Sequence, residues 1–161
     1  MQKAVTLDHI DRQILNHLQA DGSLSISELA DRLAMTPPPC WRRVRRLKDE
    51  GILKRQSWHL DPVALGLNVT IYASVKLATH DSDATTAFRT RIQTLPEVLE
   101  CYVLLGNIDV LLKIVVPDMR YYEEFFYKKL SQLPSVREVT SSVVMSQVKN
   151  TGTLPLTHLS L

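Results

Sequence analysis

The chain has 161 residues, 45% of them hydrophobic, and a formal net charge of +2, enough to bury one substantial core or two small ones. No apolar run approaches the roughly 18 residues that a membrane span needs, and the start, MQKAVTLDHIDRQIL, lacks the apolar stretch of a secretory signal, so a soluble, cytoplasmic protein is expected. Cys40 and Cys101 lie too far apart for a metal knuckle or a CxxC redox pair, so free thiols and no metal or cofactor are expected.

The charge is distributed unevenly. Residues 1–60 carry 10 Lys/Arg against 7 Asp/Glu, and residues 36–55 carry 7 against 2, a local excess of the kind that phosphate backbones select.

In the first segment, LDHIDRQILNHLQ, the spacing of Leu7, Ile10, Ile14 and Leu18 predicts one apolar helical stripe. Asp8 is the expected N-cap, with Asp11 one turn inside, and Asp21-Gly22 ends the helix. In LSISELADRLA, Ser25 and Glu28 form a capping box, Leu24 and Leu29 a hydrophobic staple, and Ile26, Leu29, Ala30 and Leu33 the apolar face. Only Ala34 and Met35 separate this helix from the next segment, a connection so short that two helices must cross steeply, as in a helix-turn-helix. The glycine common in such turns is missing.

The third segment, TPPPCWRRVRRLKDEG, sets three prolines in front of four arginines. Each proline disfavours helix in the residue before it, so Pro37 and Pro38 are expected at most half inside the helix, with Pro39 at its first position. Cys40, Val44, Leu47 and Gly51 fall on the inward side, Arg42 and Arg46 on the opposite one, with Arg43 and Arg45 flanking them. Gly51 is the expected C′ residue. A rigid, basic second helix of a tight pair points to duplex DNA as partner, with its first turn against base edges in the major groove. The residues assigned to DNA are Thr36, Pro37 and Pro38 at that end, and Arg42, Arg43, Arg45, Arg46 and Lys48 along the helix.

Residues 52–66 read as a short strand or connecting arm followed by an Asp61-Pro62 turn, with Trp58 and His59 as packing and solvent residues. Beyond Gly66, Val69, Ile71, Ala73, Val75 and Leu77 alternate with polar residues, which predicts a strand with one apolar face. A helix over 81–95 carries Ala84, Phe88, Ile92 and Leu95. The strand ECYVLLG then leads through a tight turn, Gly106 to Asp109, into VLLKIVV. A second helix from Pro117-Asp118 carries Met119, Tyr122, Phe126, Leu130 and Leu133, and VREVTSSVVM is the last strand. The junctions Leu95-Pro96-Glu97-Val98 and Leu133-Pro134-Ser135-Val136 repeat one LPxV pattern. The order βαββαβ, halved by this repeat, is the ferredoxin-like plan. Val110–Val116 is apolar except at Lys113, so both its faces call for cover, and a second copy of the chain is the simplest cover for the face without helices.

The expected fold is therefore α+β. A helix-turn-helix DNA-binding domain spans 1–53, a connecting strand or hinge 54–66, a ferredoxin-like ligand-sensing and oligomerisation domain 67–149, and a tail 150–161. No phosphate-binding glycine loop, nucleophile elbow or paired acid and base is present, and His9, His17, His59, His80 and His158 are scattered, so no enzymatic activity is expected.

The chain resembles the Lrp/AsnC family of bacterial and archaeal transcription regulators. The resemblance is carried by Leu7-Asp8-x-x-Asp11-x-x-Ile14-Leu15, Pro39-Cys40-x-x-Arg43-Val44-x-x-Leu47-x-x-x-Gly51-Ile52 and Leu60-Asp61-Pro62-x-x-Leu65-Gly66. It continues through Gly106-x-x-Asp109, Val139-Thr140-Ser141-Ser142, Lys149 and Leu154-Pro155-Leu156. It implies dimers that assemble into octamers or other higher oligomers, and an amino acid as effector. Carried over by position, the effector contacts are Gly106, Asn107 and Asp109, with Thr140, Ser141 and Ser142 opposite, at an interface between subunits. Turn N–H groups suit a carboxylate and Asp109 an ammonium. Ile108 stands where such regulators commonly carry an aromatic residue. An architectural protein that wraps DNA without an effector fits the same sequence.

Overall fold

The computed structural model describes residues 6–78 and 81–159; His80 lies outside them. The chain divides into two compact units, Met1–Trp58 with Lys149–Leu161, and His59–Val148. No helix of the described residues is long and apolar enough to cross a membrane.

Three helices build the first unit: α1 (His9–Ala20), α2 (Ile26–Arg32) and α3 (Pro37–Asp49). The Asp8 side chain accepts from the Asp11 N–H at 2.9 Å and the Asp11 side chain from the Asp8 N–H at 3.0 Å, which satisfies two first-turn donors. Ser25 and Glu28 close the same box on α2. Between α2 and α3 Ala34 takes the left-handed φ of 51° that glycine usually supplies. Ile14, Leu29, Ala30, Cys40 and Leu47 are fully buried and form one core with Leu15 and Val44.

α3 begins two residues earlier than the pre-proline rule predicts. Thr36 alone takes the extended conformation (φ −81°, ψ 152°), and Pro37 and Pro38 lie inside the helix. Three successive rings hold φ near its helical value, and no hydrogen bond is lost because first-turn N–H groups have no helical acceptor. At the other end Gly51, with φ 73°, donates to the Lys48 carbonyl while the Ile52 N–H reaches the Leu47 carbonyl, which is a Schellman closure.

Residues 52–66 form no strand. Ile52 and Leu53 pack against the helical core instead. Asp61 accepts from the Val63 N–H at 2.9 Å and opens a turn that Gly66 closes with φ 77°. Trp58 is 93% exposed, so it is not a packing residue. The tail joins the first unit: Leu156 packs against the helical core, and the Gln19 amide donates to the Leu154 carbonyl at 3.0 Å and accepts from the Leu154 N–H at 2.9 Å.

The second unit runs β1 (Val69–Leu77), α4 (Ser82–Ile92), β2 (Val98–Val103), β3 (Val110–Val116), α5 (Met119–Phe125), a π turn (Phe126–Leu130) and β4 (Val136–Val143). The sheet order is β2-β3-β1-β4 with antiparallel pairings, the ferredoxin-like arrangement. Ile71, Ala73, Val75, Leu112 and Ile114 face the helices and are fully buried with Phe88, Phe125 and Leu130.

Both LPxV junctions close the same hydrogen bond, although Ser135 takes a left-handed φ of 62° that Glu97 does not share. The Val98 N–H donates to the Leu95 carbonyl at 3.1 Å and the Val136 N–H to the Leu133 carbonyl at 3.3 Å. The third residue of each hooks onto an inner strand: the Glu97 carbonyl accepts from Val115 N–H, the Ser135 carbonyl from Ala78 N–H. This turn delivers the chain into β2 at Val98, ahead of the expected Glu100. The second helix also departs from α spacing. Phe125 is buried, Met119 is exposed, and the Ser131 N–H donates to the Phe126 carbonyl five residues back, so a π turn carries the apolar face from Phe125 to Leu130.

Candidate nucleic-acid interface and ligand pocket

α3 has three sides. Cys40, Val44 and Leu47 are buried. On one flank the guanidiniums turn inward: Arg43 Nη1 donates to Asp8 Oδ2 at 2.7 Å and to Asp11 Oδ1 at 2.9 Å, and Arg46 Nη2 donates to Asp11 Oδ2. Asp11 is fully buried, and both of its carboxylate oxygens are hydrogen-bonded to guanidiniums, the pairing a buried acid needs. The Asp11 N–H, and then Arg43, hold the Asp8 carboxyl below the usual carboxylate range. Asp8, with Asp11, pushes the Arg43 guanidinium further up.

Helical phase places Arg46 outward beside Arg42, yet its side chain reaches back to α1. Asp11 lies on the same stripe as Leu7, Ile14 and Leu18; an acid inside an apolar stripe, in a chain with an arginine cluster elsewhere, is the signal that could have found the pair. The other flank is open. Arg42, Arg45 and Lys48 are exposed, Trp41 is 48% exposed, and the Arg45 guanidinium carbon lies 5.2 Å from the Trp41 ring centroid. Thr36, Pro37 and Pro38 are exposed at the start of the helix.

In the second unit a cavity of about 420 Å³ opens between α4 and the loop joining β2 to β3. Leu77, Phe88, Leu104 and Val110 supply apolar wall, and Thr85, Arg89, Gly106 and Asp109 the polar part. The Asp109 Oδ2 accepts from the Leu77 N–H at 2.7 Å, and the Asp109 N–H donates to the Val75 carbonyl at 3.1 Å, so this residue ties the loop to β1. Of the predicted effector residues, Gly106 and Asp109 line the cavity and Asn107 does not. Thr140 and Ser142 stand opposite Ser74 and Tyr72, on the sheet face without helices. Ser141 points the other way, with its Oγ 2.6 Å from the Tyr122 hydroxyl. These three residues therefore neither share a face nor meet Gly106 within one chain. Thr85 and Arg89 were missed, because α4 reads as an ordinary amphipathic helix and only the folded loop brings them beside Asp109. A larger, shallower hollow of about 690 Å³ over Asp83, Thr90 and Gln132 contains none of the predicted residues.

Comparison with known proteins bears on both sites. The family described as winged helix-turn-helix DNA-binding matches residues 7–54, and the Lrp/AsnC ligand binding domain matches residues 70–154. The chain is 39% identical over 150 residues to the DNA-binding transcriptional activator DecR of Escherichia coli K12, covering 93% of this chain and 99% of that protein. It is 38% identical over 148 residues to the leucine-responsive regulatory protein of the same organism, covering 92% and 90%. A transcriptional regulator from Neisseria meningitidis, solved in complex with L-Met, superimposes with a TM-score of 0.92 at 35% identity over 96% of this chain and 100% of its own.

Proposed function

Because the chain belongs to the Lrp/AsnC family of DNA-binding transcriptional regulators, we propose that α3 reads specific duplex sequences and that an amino acid in the cavity beside Gly106 and Asp109 shifts DNA affinity or assembly. The observation that carries this reading is the composition of the cavity: Asp109 and Arg89 of opposite charge beside an apolar wall match a zwitterion with an apolar side chain. The L-Met complex of the Neisseria regulator supports the same class of ligand.

On the DNA side, Arg42, Arg45 and Lys48 contact phosphates and bases, with Thr36, Pro37 and Pro38 at the entering end. Arg43 and Arg46, paired with Asp8 and Asp11, set the pose of the helix. The sheet face that carries Tyr72, Leu111 and Lys113 is the surface for a second copy, with Thr140 and Ser142 on it.

The test is a thermal-shift panel of the twenty amino acids, since a ligand at 100 times its dissociation constant stabilises the folded state by about 2.7 kcal/mol. DNA titrations of the wild type and Arg89→Gln with the active amino acid follow. The expected result is a shift in affinity that Arg89→Gln loses. If no amino acid raises the melting temperature, the regulator works without an effector, and an architectural role replaces this reading.

A further inference from the structure

Trp41 belongs to neither core cluster and is 48% exposed, on the part of α3 whose neighbours are cationic. Tryptophan is ordinarily well buried, and an indole half in water does little for the stability of the helix bundle. Its ring meets Arg45, whose guanidinium carbon lies 5.2 Å from the ring centroid, and the ion pair from Arg45 to Asp49 is long, at 3.8 Å. The Arg45 head group is thus held more by a flat apolar surface than by an acid. On the opposite flank Arg43 and Arg46 are closed against Asp8 and Asp11. Trp41 is the fifth residue of the helix, within the N-terminal half that meets base edges when a recognition helix enters the major groove.

The chemistry on offer there is specific. An apolar plate matches the C5-methyl group of thymine, and a guanidinium fixed in direction matches O6 and N7 of guanine. We propose that Trp41 and Arg45 form one base-reading unit, in which the indole packs on a thymine methyl and aims Arg45 at the guanine of a neighbouring base pair. This rests on the reading of α3 as the element in the groove. It adds which base features are read, and by an aromatic residue that a charge-based reading passes over.

The experiment uses the full chain and duplexes that the wild type selects from a randomised library. Each thymine of the selected site is replaced in turn by uracil, which removes only the methyl group, and affinities are measured for the wild type and Trp41→Ala. The expected result is at least one thymine per half-site where uracil weakens the wild type about fourfold, the worth of one buried methyl group, and where Trp41→Ala no longer distinguishes the two bases. Arg45→Ala is expected to lose preference for guanine at an adjacent position. Equal uracil sensitivity in the wild type and Trp41→Ala, or none in either, overturns the proposal. Arg42→Ala serves as the separate control: its salt slope falls by about one unit if α3 lies on DNA. An unchanged slope overturns the placement of α3, whereas a reduced slope with an unaltered uracil scan overturns the role of Trp41 alone.

Discussion

Asp11 and Asp109 sit behind the working surfaces of the two units, and they are held in different ways. Asp11 is fully buried and accepts from two guanidiniums and one main-chain N–H. Asp109 is partly buried at the rim of a cavity and accepts from the main-chain N–H of Leu77. In the first case both partners are charged, and removing the guanidiniums strands the buried Asp11 carboxylate in low dielectric. In the second case the carboxylate accepts from the main-chain N–H of Leu77 at 2.7 Å beside the opening of the cavity. One is built to fix an orientation. The other ties its loop to β1 at the wall of a cavity.

The largest expected effect tests the closed site. Arg43→Ala with Arg46→Ala leaves Asp11 buried without a counter-charge and is expected to lower the stability of the DNA-binding unit by about 3–5 kcal/mol, read by urea unfolding. Adding Asp11→Leu to that pair is expected to restore most of the loss, because an apolar side chain needs no partner. A double variant as stable as the wild type would remove the distinction between the two carboxylates.

A smaller effect tests the open site. Asp109→Ala is expected to cost the sensing unit about 1–3 kcal/mol, the penalty for an unsatisfied buried donor at Leu77. Asp109→Asn keeps an acceptor oxygen and is expected to lose less stability while still losing any response to an amino acid. If Asp109→Asn responds as the wild type does, the carboxylate charge is not part of the pocket's chemistry.

The smallest effect concerns the exposed end of the first network. The Asp11 N–H, followed by Arg43, lowers the Asp8 carboxyl below its unfolded value, which is about 4. The unfolded state therefore binds the proton first as acid is added. The contribution of Asp8 is whole above about pH 4 and is lost as pH falls through the lowered folded value. Asp8→Asn should accordingly show a shallower loss of stability below about pH 4 in acid titrations followed by circular dichroism, and an equal slope would assign the shift to no stabilising contact.

The parts of the fold legible in the sequence are those set by local chemistry. The caps at Asp8 and Ser25, the C′ role of Gly51, the alternation of Val69–Leu77 and the paired LPxV turns each follow from residues a few positions apart. What was not legible depends on partners distant in the chain. Arg46 meets Asp11 across 35 positions, Gln19 meets Leu154 across 135, and Arg89 reaches the Gly106 loop only through the fold. The early start of α3 is a different kind of miss. A steric preference that holds for each proline alone yields when consecutive rings share one helical first turn.

The attachment of the tail to Gln19 has a consequence for the order of synthesis. Residue 149 leaves the ribosome about ninety residues after Trp58, a delay of roughly 5 to 18 seconds at ordinary elongation rates. A small helical bundle forms in microseconds to milliseconds, so α1, α2 and α3 close on their own core well before Leu154 and Leu156 exist. During that interval the Gln19 amide and the apolar surface beneath Leu156 face water. The reading head is sealed only on chains whose sensing unit has already been made, and a message broken before residue 149 yields a head that stays unsealed.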